Sequence, residues 1–302
     1  MDAKRYVVTV SVATVWTSTE SPRSLDKVAL EAPVDIEEWL YRLTYEKRLA
    51  LCNENLVQTQ LLFGEKVEVI KQEGDWCYVL IPSQPSKKND AGYPGWVPAS
   101  QLKSVEVQKQ DSYAQVVAKK TLLVINNQTE LMLSYRTTLP VLQHLNEHVE
   151  VETPLGKGLL LTKDVNVVQA DTEQHPTKSG EHLVLEGKRF LDLPYLWGGM
   201  SSYGFDCSGF TYSLHKANGY TIPRDASDQA TSGKGVAYEE MKPGDLLFFA
   251  YEQGKGFVHH VAMYYGNGQI IHSPKTGKTV EVIPIKGMEY EDEICAIRRY
   301  WT

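Results

Sequence analysis

The sequence predicts a multidomain protein: two small β modules in succession, followed by an α+β domain. Three observations carry that expectation. The chain has 302 residues, room for two or three domains of ordinary size. Its first 170 residues consist of short β-patterned runs punctuated by Gly and Pro, and the plan of the first module recurs more faintly in the second. Beyond residue 170 the texture changes to helical runs and then to a series of strands. The expected boundaries are 1–104, 105–170 and 171–302. A chain of this length buries about three quarters of its unfolded surface and needs no covalent staples.

The first module opens on Tyr6–Trp16, a run with alternating valines that follows Lys4 and Arg5. It lacks a small-x-small cleavage site and begins behind Asp2, so it reads as a strand and not as a secretory leader. A helical insertion follows. Asp35 is the expected N-cap, Glu38 completes a capping box, and Ile36, Trp39, Leu40 and Leu43 recur at helical spacing. Strands are then expected at Lys66–Ile70, Trp76–Ile81 and Gly95–Pro98. In the second module Thr138–Leu142, His148–Glu152 and Gly156–Leu161 repeat that order, which reads as an imperfect internal duplication. Residues 169–180 are polar, with His175-Pro176 and Ser179-Gly180, and read as a linker.

The third region begins with a helix from Glu181 to Leu191, and Asp206 caps another that carries Phe210, Leu214 and His215. After Pro243-Gly244-Asp245 come five strand patterns: Leu246–Phe249, Val258–Tyr265, Gln269–His272, Val280–Ile283 and Ile294–Arg298. Helices first and an antiparallel sheet afterwards is an α+β layout.

Composition excludes several function classes. A net charge of −7 argues against nucleic acid or an acidic membrane surface as partner, since phosphate surfaces demand clustered Lys and Arg. No run approaches the roughly 18 apolar residues of a spanning helix, and the expected location is the cytoplasm. The four cysteines, Cys52, Cys77, Cys207 and Cys295, are widely spaced with no CxxC pair. That pattern is neither a disulfide framework nor a zinc site, and no metal or cofactor is expected.

The sharpest feature is Phe205-Asp206-Cys207-Ser208-Gly209-Phe210. A helix N-terminus capped by Asp206 places the Cys207 sulfur where unpaired N–H groups and the helix dipole favour a thiolate, and the same N–H groups can hold an oxyanion. Alone, the motif also suits an inert buried cysteine. Its partners distinguish the two. In Val258–Tyr265, alternation puts His260, Ala262 and Tyr264 on one face and His259 on the other. The turn Gly266-Asn267-Gly268 folds the chain back so that His272 can lie beside His260. A thiol, a base and a group orienting that base is what nucleophilic catalysis needs. His215 and Cys295 carry no such expectation.

Two resemblances follow from these motifs. The barrel-like order of the first module, with its Gly74-Asp75-Trp76 turn and Gly95-Trp96-Val97 exit, resembles the bacterial SH3-like domains that accompany cell-wall enzymes. Asp206–Phe210, His260-Val261-Ala262 and Ile271-His272-Ser273, together with Pro194–Gly199, Ile222-Pro223-Arg224 and Pro243–Leu246, resemble the blocks of the NlpC family of papain-like cysteine peptidases. The resemblance implies Cys207 as nucleophile, His260 as base and His272 as the orienting residue. Within that family the chain is similar over its whole length to cytoplasmic γ-D-glutamyl-L-diamino acid endopeptidases of bacilli. The motifs include Trp16-Thr17-Ser18, Phe63-Gly64-Glu65, Gly92–Trp96, Pro223–Ala226 and His272–Gly277. This implies murein peptides such as L-Ala-γ-D-Glu-diamino acid, with a free N-terminal L-Ala, as substrate. Asp225 is then the first candidate for the ammonium, joined by Tyr93 and Glu54 of the first module. Ser208 and Ser227 are candidates for the D-Glu carboxylate, Tyr195 for a place beside the nucleophile, and Asp206 and Trp197 complete the expected site. The alternatives are an exported hydrolase of intact cell wall, an amidase or acyltransferase on the same scaffold, and a non-catalytic binding protein.

Overall fold

The computed structural model describes residues 5–106, 111–126, 128–170 and 178–301. The expected linker lies largely at 171–177, outside the described residues. The chain forms two compact units, one of residues 1–83, 91–173 and 201–203, the other of 84–90, 174–200 and 204–302.

The first unit holds two seven-stranded sheets. In each, the strands lie in the order third, second, sixth, fifth, fourth, first, seventh. In the first sheet they are Arg5–Val8, Val12–Trp16, Val57–Leu62, Lys66–Glu73, Trp76–Ile81, Tyr93–Pro98 and Leu102–Ser104. In the second they are Ser112–Val116, Lys120–Ile125, Thr129–Ser134, Thr138–His144, His148–Thr153, Gly156–Leu161 and Val165–Gln169. A single 3-10 turn joins sixth to seventh strand in both, at Ala99–Gln101 and Thr162–Asp164. This shared order is what a duplicated texture predicts. Two SH3-type domains thus precede the α+β part.

Alternation explains the first sheet's core. Cys77, Val79 and Ile81 point inward with Tyr93 and Val97, against Val8, Val15 and Leu61. On the outer face Tyr78 and Trp96 are direct cross-strand partners with ring centroids 5.2 Å apart, and Lys71 Nζ sits 4.9 Å from the Trp96 ring. The second core uses Leu123, Leu133, Val149, Val151 and Leu160 in the same way.

Three expectations about the first module need correction. Tyr6–Trp16 is two strands, broken between Val8 and Val12. Asp35 does cap the helix Ile36–Arg42 by accepting from Glu38 N–H, but no reciprocal box forms, because the Glu38 side chain binds Arg42 Nε at 2.6 Å. The insertion is also larger than expected, with a 3-10 helix at Ser24–Leu30 and a second helix at Tyr45–Asn53. Trp39 pins it: fully buried, edge-on to Trp16, its indole donates to the buried Asp26 carboxylate, which also pairs with Arg23.

The second unit begins with the helix Gly180–Lys188, capped by Ser179, followed by the buried helix Cys207–Ala217 and the short helix Ala226–Ala230. Its antiparallel sheet runs in the order Lys234–Gly235, Ile294–Arg299, Leu246–Ala250, Val258–Gly266, Gln269–His272, Glu281–Pro284. One face of the sheet is filled by Leu247, Phe249, Ala262, Ile270, Ile285 and Ile297. Residues 84–90, although they lie between two strands of the first sheet, belong by their contacts to this unit. Pro85 C=O accepts from Arg224 N–H at 2.9 Å, and Lys87 N–H donates to the Asp228 carboxylate at 2.9 Å.

Candidate active site

Cys207 is the first residue of its helix, and Asp206 caps it, with Oδ1 accepting from Gly209 N–H at 2.6 Å. Gly209 is required by packing: any Cβ there would run into the carbonyl oxygen of Gly199. The Asp206 carboxylate also takes both ends of the Arg224 guanidinium, at 3.2 and 2.7 Å, and Arg224 Nη1 donates further to Ser208 Oγ at 2.9 Å. Arg224 is almost wholly buried, so this bidentate pairing is what makes its charge tolerable there. Gln229 backs the arrangement by donating to the Ser208 and Pro223 carbonyls while accepting from Thr211 Oγ1.

The imidazole pair comes from the sheet. In the ladder between Val258–Gly266 and Gln269–His272, Met263 faces Ile271 and Tyr264 faces Ile270. One further step sets the small Ala262 opposite His272, leaving His260 on the diagonal, within reach of an aromatic ring. The turn that creates this register has positive φ at Gly266, Asn267 and Gly268. His260 Nε2 and His272 Nδ1 are 2.8 Å apart, and both rings are buried. Ser273 Oγ donates to Phe205 C=O at 2.8 Å, tying the end of this strand to the residue before Asp206. Backbone N–H groups of Val261 and Ser208 face the Cys207 sulfur, which sets the thiol beside the strand that carries His260.

His259 points elsewhere. Its Nε2 meets Glu293 Oε2 at 2.7 Å, and its ring stacks on Tyr251 at 4.1 Å. Tyr290 packs against both His259 and His260.

The electrostatics differ from the simple expectation of a lowered thiol. Burial, reinforced by the Asp206 charge, pushes Cys207 up to about 12, against the smaller lowering by the Val261 N–H of the strand, the Ser208 N–H of the helix and Arg224. Burial, then the neighbouring His272, holds His260 well below 6.5. Either charge alone is expelled from this site. Moving the thiol proton onto the imidazole creates both charges together with no net buried charge, so their attraction offsets the desolvation.

The other expected residues fall in varied places. Ser208 is engaged by Arg224 and Asp206 as described. Asp225, the N-cap residue of the short helix, lies 3.3 Å from Lys88 Nζ through its Oδ2. Ser227 is half-buried in the first turn of that helix. Tyr195 is buried, with its N–H donating to Lys278 C=O, and Trp197 is half-buried. Tyr93 and Glu54 belong to the first unit: Tyr93 is buried in the core of the first sheet, and Glu54 is exposed at the end of the helix Tyr45–Asn53. Sequence reasoning missed the parts played by Arg224 and residues 84–90, whose partners are far away along the chain.

Residues 192–299 match the NlpC/P60 family, 116–167 the YKFC SH3b2 domain and 53–102 the bacterial dipeptidyl-peptidase Sh3 domain. The chain is 47% identical over 298 residues to a protein of Bacillus subtilis named gamma-D-glutamyl-L-lysine dipeptidyl-peptidase, covering 98% of this chain and 99% of that protein. A Bacillus cereus protein of the same name is 41% identical, covering 99% of this chain and 91% of its own length. A crystal structure of an NlpC/P60 family protein from Bacillus cereus superposes with a TM-score of 0.94 at 40% identity, covering 99% of this chain and 100% of that one. With such likeness along essentially its whole length, the chain belongs to the NlpC/P60 family.

Proposed function

We propose that the protein is a cysteine endopeptidase that hydrolyses the γ-D-glutamyl–L-diamino acid bond of murein peptides with a free N-terminal L-Ala, recycling released peptides in the cytoplasm. Cys207 is the nucleophile, His260 its base and His272 the residue that orients the base. The observation that carries this reading is the capped helix start bearing Cys207, its sulfur facing Val261 N–H, next to an imidazole pair at 2.8 Å. Attack on the γ-carbonyl is coupled to transfer of the thiol proton to His260, which then protonates the departing amine. N–H groups of the first helical turn, helped by Tyr195, receive the oxyanion. The names of the Bacillus relatives supply the bond.

Asp225, whose Oδ2 lies 3.3 Å from Lys88 Nζ, takes the L-Ala ammonium. Substrate recognition further draws on Asp206, Trp197, Ser208 and Ser227, as the resemblance implies.

Mass analysis of products from L-Ala-γ-D-Glu-L-Lys, free and N-acetylated, tests the reading. The free peptide is expected to lose its lysine, and the acetylated one to react at least about 10³-fold more slowly, because its acylated nitrogen brings no charge to Asp225. Cys207→Ala and His260→Ala should each remove cleavage while the protein stays folded. Comparable rates on intact cross-linked peptidoglycan and on the free tripeptide would replace recycling by wall hydrolysis.

A further inference from the structure

The proton positions of the imidazole pair follow from what His260 must do. To take a proton from the Cys207 thiol at Nδ1, the resting neutral ring must carry its own proton at Nε2. That N–H then donates to His272 Nδ1 across the 2.8 Å contact. A neutral His272 that accepts at Nδ1 must in turn hold its proton at Nε2. This nitrogen is buried, with no hydrogen-bond partner among the described residues. A buried donor left unmade costs free energy comparable to a lost hydrogen bond, and it also leaves the ring free to take the other tautomer.

One acceptor is directed at it. Glu281 is the Cα partner of His272 in the ladder between Gln269–His272 and Glu281–Pro284. Its Oε1 lies 3.6 Å from His272 Nε2, just beyond hydrogen-bond length, and its side chain is 35% exposed against 2% for His272. A partly exposed carboxylate keeps the rotamer freedom to close that gap, and contacts of this kind often tighten only in the substrate complex.

We propose that Glu281 is a positioning residue that accepts the Nε2 proton of His272, fixes its tautomer, and so keeps His260 Nδ1 open toward Cys207. The inference rests on His260 being the base. When His260 takes the thiol proton, its positive charge faces a chain that ends on a carboxylate, which favours the charged state. Among the described residues, the other charged and titratable groups around the pair are His259 with Glu293, Lys275 with Glu289, and Tyr290, and none of them reaches His272 Nε2 within hydrogen-bond distance. Their effect falls on His260, whereas Glu281 acts through His272.

The test uses the full chain and the tripeptide L-Ala-γ-D-Glu-L-Lys. Glu281→Ala should lower kcat about 10- to 100-fold with KM changed less than about twofold. It should also move the acid limb of kcat downward in pH, since His260 becomes a weaker base. Glu281→Gln, whose amide oxygen still accepts, should recover part of the loss. Nitrogen NMR of histidine-labelled protein should find His272 protonated at Nε2 in the wild type and mixed in the Ala variant. An unchanged kcat and acid limb for Glu281→Ala would overturn the proposal, as would a loss of activity with the His272 tautomer unaltered. Activity retained by His260→Ala would instead remove the base assignment itself, so the two failures are separable.

Discussion

His215 and His272 are both buried, and burial pushes each from 6.5 down to about 4; they differ in what their ring nitrogens meet. His215 Nδ1 is 2.7 Å from Thr211 C=O one turn back in its own helix, and the ring lies edge-on to Tyr220 and Tyr300. The bond is local and serves packing. His272 Nδ1 instead meets a second imidazole from a neighbouring strand. A depressed pKa therefore marks burial at both sites, and only the identity of the partner separates a core histidine from one placed for proton transfer.

The largest expected difference between them is in rate. His272→Ala should lower kcat by roughly 10²- to 10⁴-fold, as loss of a base-orienting group does. His215→Gln, which keeps a donor for Thr211, should leave kcat per folded molecule within about twofold. Steady-state kinetics normalised to the folded fraction from near-UV circular dichroism check both, and equal losses would erase the distinction.

The next effect is on stability and should be common to both. Each ring is neutral in the fold and titrates near 6.5 when unfolded, so below that pH the unfolded chain binds the extra proton. Stability is unaffected above about pH 6.5 and falls as the pH drops toward 4, by about 3 kcal/mol for His215 at 1.4 kcal/mol per unit. His215→Gln should flatten that acid slope in urea titrations run from pH 7 to 4. Activity should persist below pH 6.5 on the same grounds, since His260 resists protonation, and its alkaline limb should lie above 9.0, the ordinary value of a thiol.

The smallest effect is expected at His259. Held by Glu293 and Tyr251 and not facing His272, it should cost less than about tenfold in kcat when changed to Ala. A loss equal to that of His260→Ala at equal stability would reverse the assignment of the base.

What the sequence made legible was mostly local. Asp206, Cys207 and Gly209 announce a capped helix within four residues, and alternation with the Gly266–Gly268 turn brings His260 to His272 within thirteen. The helix Tyr45–Asn53 escaped because it has no apolar stripe: Leu51 is its one buried side chain. Arg224 carries no local signal of its role, since its carboxylate partner lies 18 positions earlier. Glu281 was legible as a strand residue but not as a neighbour of His272, because the loop from Ser273 to Val280 leaves the register undetermined. Lys88 and Asp225 lie in segments read as separate domains, and no pattern in either predicts the other.

Residues 84–90 make sequence domains and physical units different things in this protein. A recombination event or an expression design that cuts the chain at residue 104 would discard the carbonyl that receives Arg224 N–H and the lysine that holds Asp228 and Thr231. A peptidase segment transplanted alone would arrive without part of its own wall. Descent of such a chain should therefore keep the first barrel's loop and the Arg224–Thr231 segment together as one inherited block.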